Sequence, residues 1–220
     1  ALGFGKEIPA DRSIDLLEAV IQPGDRVCLE GNNQKQADFL ARALTALDPA
    51  RVHDLHMVQS VLALPEHLEV FDLGIASRLD FSFSGPQGAR LAKLVTEQRI
   101  EIGAIHTYLE LFARYFVDLT PKVALVAAQA ADRHGNLYTG PNTEDTPAIV
   151  EATAFSGGIV IAQVNEIIDG PLPRIAAVGA TREASSAGKA AASSDNGKPM
   201  PNAMRKCCRL SAGGSAATAM

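Results

Sequence analysis

Tryptophan is absent from the 220-residue chain, cysteine is scarce, and no long apolar run interrupts the sequence. Cys28, Cys207 and Cys208 form neither a disulfide framework nor the CxxC spacing of a redox or zinc site, which favours a reducing compartment. No segment approaches the roughly 18 apolar residues of a membrane helix. Residues 1–12 lack the basic start and apolar stretch of a signal peptide. We therefore predict a cytoplasmic protein without a membrane partner.

The balance of charge gives little reason to expect nucleic acid as a partner. The formal net charge is −5, and the part with globular composition has no dense basic stripe. His53 and His56 are three residues apart in a predicted strand, which places them on opposite faces and excludes a shared metal ion. The sequence predicts no metal site and no nucleic-acid site.

A change in composition divides the chain near residue 175. Residues 176–220 are rich in Ala, Ser and Gly, contain few large apolar residues, and carry six basic residues against two acidic ones. Such a segment buries too little apolar surface to offset its ordering entropy. We predict a domain at 1–175, followed by a basic tail at 176–220 that is disordered or is not the natural continuation.

Helical and extended patterns alternate along residues 1–175. Leu40, Ala43, Leu44 and Leu47 have helical spacing, and Leu109, Phe112 and Phe116 lie on one face of another predicted helix. Thr146 is predicted to cap a further helix, with Pro147 at its first position. Strands are predicted at 26–30, 52–61, 123–128 and 158–162. This alternation indicates an α/β fold with an open, mainly parallel sheet and helices on both faces.

The turn after the first predicted strand is the most informative segment. In open α/β sheets ligands bind at the carboxyl ends of strands, where Gly31, Asn32, Asn33, Gln34 and Lys35 fall. Asn33 with Gln36 three residues later is an N-cap signature, which would put Lys35 in the first helical turn, where its charge opposes the helix dipole. A capped turn with a solvated lysine is the structural alternative. The spacing of a phosphate-binding P-loop is absent.

Two further segments follow predicted strands. Residues 131–141 contain Asp132, His134, Gly135, Asn136 and Gly140, a composition typical of a tight turn into a short strand. At the carboxyl end of a strand, such a loop can also close over a ligand. Asn165 and Glu166 follow the strand predicted at 158–162. We predict that these loops and the 31–35 turn converge on one pocket.

Long stretches resemble the malonate decarboxylase alpha subunit, namely residues 24–40, 106–116 and 131–147. The likeness extends over about residues 5–175. The pattern of Asp132, Gly135, Asn136 and Gly140 is also similar to the wider coenzyme A transferase superfamily. That resemblance implies an open α/β sheet and an acyl-transferring enzyme.

In the family that the chain resembles, this subunit exchanges acetyl for malonyl on an acyl carrier protein, and other subunits decarboxylate the malonyl thioester. The resemblance implies malonate and an acetyl thioester as substrates and no permanently bound cofactor. The ligand would be the coenzyme A-like phosphopantetheine arm of the carrier protein, or coenzyme A itself. The predicted catalytic residues, as donors to an oxyanion, are Gly31, Asn32 and Asn33. The predicted binding residues are Gln34, Lys35, Asp132, His134, Gly135, Asn136, Gly140, Asn165 and Glu166.

Several alternatives stay open at this point. The family's subunit is longer and has a second domain of similar fold, so the resemblance implies its N-terminal part. Glu30 and Glu166 lie near the expected site, but no nucleophile is assigned. The enzyme alternatives are a citrate lyase-type alpha subunit or a transferase acting on free coenzyme A. A truncated, non-catalytic assembly module is the alternative of another class, and a homodimer is compatible with each.

Overall fold

A computed structural model describes residues 7–32, 34–132 and 135–169, together with the backbone of two short strands at 208–211 and 217–219. The predicted boundary near 175 and the remainder of the 176–220 segment lie outside the described residues. Within the described residues, no helix is both long and apolar enough to cross a membrane.

Strands and helices alternate as the sequence predicts. The strands are β1 (Glu7–Ile8), β2 (Arg26–Leu29), β3 (Leu55–Val61), β4 (Ala76–Phe83), β5 (Glu101–Ile105), β6 (Val123–Asp132), β7 (Leu137–Tyr138), β8 (Ile159–Ile168), β9 (Cys208–Ser211) and β10 (Ala217–Ala219). The helices are α1 (Ser13–Val20), α2 (Asp38–Thr45), α3 (Glu66–Asp72), α4 (Gly88–Thr96), α5 (Tyr108–Val117) and α6 (Thr146–Phe155).

One mainly parallel sheet has the strand order β1-β10-β9-β8-β6-β2-β3-β4-β5, and β7 pairs with β6 off this path. Strands β9, β8, β6, β2, β3, β4 and β5 run parallel to their neighbours in that order. The pairs that involve β1, β7 or β10 with their neighbours are antiparallel. This topology confirms the predicted open, mainly parallel sheet.

Helices cover both faces of the sheet because strand residues alternate between two cores. Val27 and Leu29 belong to the core that α1 to α4 cover. Cys28, between them, belongs to the second core, with Leu111 and Tyr115 of α5 and residues of α6. Successive side chains of a strand point to opposite faces of the sheet, so a strand that is buried on both sides contributes to both cores.

Strands β6 and β8 extend beyond the end of β2. Leu29, the last residue of β2, pairs with Leu125, whereas β6 continues to Asp132 and stays paired with β8 as far as Ile168. A step therefore forms at the carboxyl edge of the sheet, with the chain that leaves β2 at its base and the extended β6–β8 pair as its wall.

The apolar face of α5 that the sequence displays packs on the core only through Phe112, which is partly buried. Leu111 and Tyr115 are the buried residues of α5, whereas Leu109 is 82% exposed and Phe116 is half-exposed. The helix thus carries two apolar stripes, and Leu109 and Phe116 of the stripe with the clearer helical spacing are on its outer side in the described part of the chain.

Candidate functional site

The sheet reverses its winding between β2 and β6. From β2 the chain adds β3, β4 and β5 in one direction, and then returns to place β6 and β8 on the other side of β2. At such a topological switch point the loops after the two central strands diverge and leave a crevice at the carboxyl edge, where open α/β proteins bind ligands. The turn after β2 therefore lies where the sequence places the site.

Hydrogen bonds close this turn on itself. The side-chain oxygen of Asn32 accepts hydrogen bonds from the backbone N–H groups of Gln34 and Lys35, each at 2.7 Å. The Gln36 amide donates to the Asn32 carbonyl at 2.6 Å, and Gly31 pairs with Gln36 as an isolated bridge. The turn is held mainly by Asn32, and this fixes the backbone of Lys35.

The predicted start of the following helix is wrong. Helix α2 begins at Asp38, with Ala37 at the N-cap, so Lys35 belongs to the turn and not to the first helical turn. The side chain of Gln163 on β8 accepts a hydrogen bond from the Leu40 backbone N–H at 3.1 Å. A distant residue thus satisfies a helix-end donor that the sequence pattern assigned to a local cap. Asn33, the predicted cap, lies outside the described residues.

Gly31 is required by packing. A β-carbon at this position would lie 2.3 Å from Cε1 of His67 and 2.9 Å from the carbonyl oxygen of Val61. The Gly31 carbonyl also accepts hydrogen bonds from the Ser60 hydroxyl at 2.7 Å and the Val61 N–H at 3.0 Å. Glycine therefore lets the turn lie against β3 and the imidazole of His67.

Beneath the turn, Lys35 forms an ion pair with a carboxylate that is completely buried. Its ammonium lies 3.1 Å from Oε1 of Glu30, and the Lys35 side chain is 12% exposed while that of Glu30 is 0% exposed. The Lys35 ammonium also donates to the Thr146 hydroxyl, which in turn donates to Glu30 Oε1. The second oxygen of Glu30 accepts from the Ala127 backbone N–H at 2.7 Å.

A second buried carboxyl lies beside this pair. Burial raises the pKa of Glu30, and the nearby Lys35 ammonium partly opposes that effect. Burial also raises the pKa of Asp145, while Ser60, Lys35 and Asn32 lower it to a smaller extent. The base of the site therefore holds two carboxyl groups around one ammonium, which favours retention of a proton.

A cavity of about 670 Å³ opens above Lys35. Its lining is rich in carboxamides, and its residues are Gln34, Lys35, Gln36, Asp38, Ala127, Ala128, Gln129, Thr139, Pro141, Asn142, Gln163 and Asn165. The Asn142 amide donates to the Gln34 side chain at 3.2 Å, which joins the loop after β7 to the turn after β2. This size is typical of a small-molecule site.

The predicted segment 131–141 contributes to the cavity through Thr139 and Pro141, which follow β7. The Asn136 backbone N–H and side-chain amide donate to Asp132 at 2.9 and 2.6 Å, and so close the turn into β7. Gly135 has a φ of +102°, which glycine adopts without strain. Gly140, with a φ of +80°, packs against Gln129, where a β-carbon would meet its Oε1 at 2.6 Å. The predicted turn into a short strand is confirmed.

The structure brings only some of the predicted residues to the cavity. Gln34, Lys35 and Asn165 line it, while Gly31 and Asn32 are buried below it. Asp132, Gly135, Asn136, Gly140 and Glu166 are not among its lining residues. His134, like Asn33, lies outside the described residues.

Sequence reasoning missed several lining residues that distant chain segments bring together. One of them is Gln163, which lies two residues before the predicted Asn165 on β8 and pairs with Ala127 of β6. The Gln163 amide also donates to Asp38 at 2.8 Å, which links β8 to the start of α2. The sequence did contain a signal for these residues, because Gln129 and Gln163 each interrupt an apolar run in a strand.

The chain has a coenzyme A transferase-like fold. Glutaconate coenzyme A-transferase from Acidaminococcus fermentans has the same fold, with a TM-score of 0.56 at 12% sequence identity, over 71% of this chain and 67% of that one. The family model described as "Malonate decarboxylase, alpha subunit, transporter" matches residues 1–184. The chain therefore belongs to the malonate decarboxylase alpha subunit family.

Two relatives show how close the likeness is. An acetyl-S-ACP:malonate ACP transferase from Malonomonas rubra is 60% identical over 164 residues, which are 74% of this chain and 30% of that protein. A chain of a Pseudomonas malonate decarboxylase hetero-tetramer, solved in complex with malonate, is 59% identical with a TM-score of 0.76. That match covers 82% of this chain and 33% of the other. The chain spans about a third of the length of these relatives.

Proposed function

We propose that the chain is part of an acyl carrier protein transferase subunit that exchanges acetyl for malonyl on the carrier thiol. The observation that carries the proposal is the 60% identity to a transferase with that name. The family match at 1–184 includes every residue that lines the cavity. The site described above would therefore belong to the transferase.

The lining suits a thioester arm that contains amide groups. Carboxamide side chains offer both donors and acceptors, so Gln34, Gln36, Gln129, Asn142 and Asn165 can pair with the amides of a phosphopantetheine arm. Lys35 supplies an ammonium at the base of the cavity, where a carboxylate or a developing oxyanion would be stabilised. Coenzyme A carries the same arm and is the alternative ligand.

The exchange can proceed without a protein nucleophile. A malonate carboxylate attacks the acetyl thioester carbonyl, which forms a mixed anhydride and releases the carrier thiolate. The thiolate then attacks the malonyl carbonyl of the anhydride, which yields the malonyl thioester and acetate. Each step needs the two reactants to be held in contact and the tetrahedral oxyanion to be stabilised. Lys35 is the residue that we assign to the oxyanion or to the malonate carboxylate.

The predicted roles in the turn change accordingly. Asn32 uses its side-chain oxygen to hold the turn, and its amide nitrogen is buried. We therefore assign Asn32 and Gly31 to the shape of the turn, while Gln34 and Lys35 contact the ligand. The carrier protein and the decarboxylase subunits are the proposed partners.

The experiment that tests this function uses the complete subunit with its acetylated carrier protein. Three reactions are compared: one with malonate, one with citrate, and one with malonate and free acetyl-coenzyme A. Mass spectrometry then identifies the acyl group on each thiol. We expect a malonyl-carrier product and acetate. Exchange with citrate alone would favour a citrate lyase-type subunit, and exchange only on free coenzyme A would favour that transferase class. Binding to the decarboxylase subunits without any exchange would indicate an assembly module.

A further inference from the structure

At the base of the cavity, the hydroxyl of Thr146 contacts two charged groups, the Lys35 ammonium and the Glu30 carboxylate. Both are distant from Thr146 in the sequence. It accepts a hydrogen bond from the Lys35 ammonium and donates one to Glu30 Oε1. Thr146 is 3% exposed and is the first residue of α6, whereas Glu30 and Lys35 belong to the turn after β2. The start of α6 is thereby fixed to the turn through one side chain.

The hydroxyl does not cap its own helix, in contrast to the sequence prediction. Asp145 occupies the N-cap position of α6 and makes no side-chain cap hydrogen bond. Both hydrogen bonds of the Thr146 hydroxyl go to residues of the turn. A purely local role in the helix therefore does not account for this side chain.

Glu30 cannot reach a ligand from its position. Oε1 contacts the Lys35 ammonium and the Thr146 hydroxyl, Oε2 contacts the Ala127 N–H, and the side chain is 0% exposed. A nucleophile needs an oxygen atom that can approach the substrate. Glu30 instead acts on the ammonium of Lys35, which reaches the cavity wall.

We propose that Thr146 and Glu30 are positioning residues that hold the Lys35 ammonium at the cavity wall and so set its affinity for an anionic ligand. A lysine side chain has a flexible four-carbon stem, and two fixed acceptors select one of its many conformations before the ligand arrives. The ligand then meets an ammonium that is already oriented. The expected effect on acyl exchange rests on the proposed function, whereas the positioning of Lys35 does not.

A double-mutant cycle in the complete enzyme complex separates this role from a structural one. Thr146→Val removes the hydroxyl, Thr146→Ser keeps it, and each is measured with and without Lys35→Met. Thr153→Val is the matched control, because Thr153 is buried on the same helix and its hydroxyl donates to its own helix at Ile149. If Thr146→Val does not yield a folded complex, Thr146→Ala replaces it.

We expect Thr146→Val to raise the KM for malonate about tenfold or more, as for the loss of a hydrogen bond to a charged group. Thr146→Ser should restore the wild-type value, and Thr153→Val should leave it unchanged. In the Lys35→Met background Thr146→Val should have no further effect, because Thr146 acts through Lys35. An equal effect of Thr146→Val with and without Lys35, or a serine variant as poor as the valine one, would overturn the proposal.

A second measurement is independent of the reaction. Trace acetylation with acetic anhydride, followed by mass spectrometry, gives the labelling of Lys35 relative to Lys122, which is exposed. Release of the ammonium in Thr146→Val should raise this ratio, while Thr146→Ser should not. An unchanged ratio would contradict the positioning role even if wild-type exchange is observed. A raised ratio in a complex without acyl exchange would leave the positioning role standing and refute only the proposed function.

Discussion

The imidazole ring of His67 fills the space that a side chain at residue 31 would need. A β-carbon on Gly31 would lie 2.3 Å from Cε1 of His67, closer than any van der Waals contact permits. His67 is fully buried in α3, so the ring cannot swing into solvent without leaving the core. The shape of the turn that carries Lys35 thus depends on a residue that sequence reasoning did not consider.

Gly31→Ala should therefore destabilise the fold through overpacking, by about 1–3 kcal/mol in the free energy of unfolding. Chemical denaturation of the single variant, of His67→Ala and of the double variant would measure the coupling. We expect the double variant to be more stable than the sum of the two losses predicts, because the methyl group enters the space that the ring vacates. Strict additivity would show that the two residues do not compete for that space. The carbonyl of Val61 at 2.9 Å keeps the expected rescue incomplete.

His67 should also make stability depend on pH. Burial lowers the pKa of His67 from 6.5 to about 4. Between these pH values the unfolded chain binds a proton that the folded chain does not. The contribution of His67 to stability is therefore complete above pH 6.5 and is lost as the pH falls towards 4. The loss from this group is on the order of 3 kcal/mol at full protonation. Imidazole NMR shifts would follow the ring directly, and a midpoint near 6.5 in the folded protein would contradict the prediction.

Asp145 should act in the opposite direction. Burial raises its pKa above 3.8, so the folded chain holds a proton that the unfolded chain has released. Its contribution to stability therefore declines as the pH rises from about 4 through the raised pKa. The melting temperature of Asp145→Asn minus that of the wild type should increase across this window. Asp11→Asn, at an exposed position, gives the background effect of removing one charge. If the difference in melting temperature between Asp145→Asn and the wild type does not change with pH, ionisation of this carboxyl does not destabilise the fold.

The outward stripe of α5 gives a matched pair of variants. Leu109 is 82% exposed, so Leu109→Ala should change the free energy of unfolding by less than about 0.5 kcal/mol. Leu111 is fully buried, and Leu111→Ala should cost about 2–5 kcal/mol. Denaturant titrations of the two variants check the orientation of the helix. A larger loss for Leu109→Ala would mean that this stripe packs against another part of the protein.

Helix α5 also shows what periodicity can and cannot predict. Leu109, Phe112 and Phe116 have the spacing of a buried face, but Leu111 and Tyr115 are the buried residues of α5, and only Phe112 of the predicted face packs against the same core. Periodicity identifies a helix and its apolar stripes, whereas tertiary packing decides which stripe is buried. Strands β2, β6 and β8 were predicted because each contains an apolar run that is covered on both sides. No prediction covers α3, β4 or β5, whose polar positions obscure the pattern.

The candidate site also has features that the sequence could predict and features that it could not. Its position after β2 could be predicted, because parallel strands bring their carboxyl ends to one edge and the turn there contains a glycine, amides and a lysine. The contact of Lys35 with Thr146 could not, since the two residues are 111 positions apart in the sequence. Such contacts depend on the register of β6 and β8 and on where α6 begins. The cavity-lining amides Gln129 and Gln163 depend on the same register.

The proposed acyl exchange in the cavity above Lys35 can be tested with two lysine variants. The turnover of acetyl-to-malonyl exchange on the carrier protein is compared in the complete subunit carrying Lys35→Met or Lys122→Met. Lys122 is exposed and directly precedes β6, at the opposite edge of the sheet from Lys35, so it controls for the loss of a lysine. Addition of Glu30→Gln to Lys35→Met avoids an unpaired buried carboxylate and keeps the fold comparable. We predict that Lys35→Met lowers turnover by about 10²–10³-fold, as for the loss of one oxyanion donor, and that Lys122→Met leaves it unchanged. Wild-type turnover in folded Lys35→Met would show that Lys35 takes no part in the exchange.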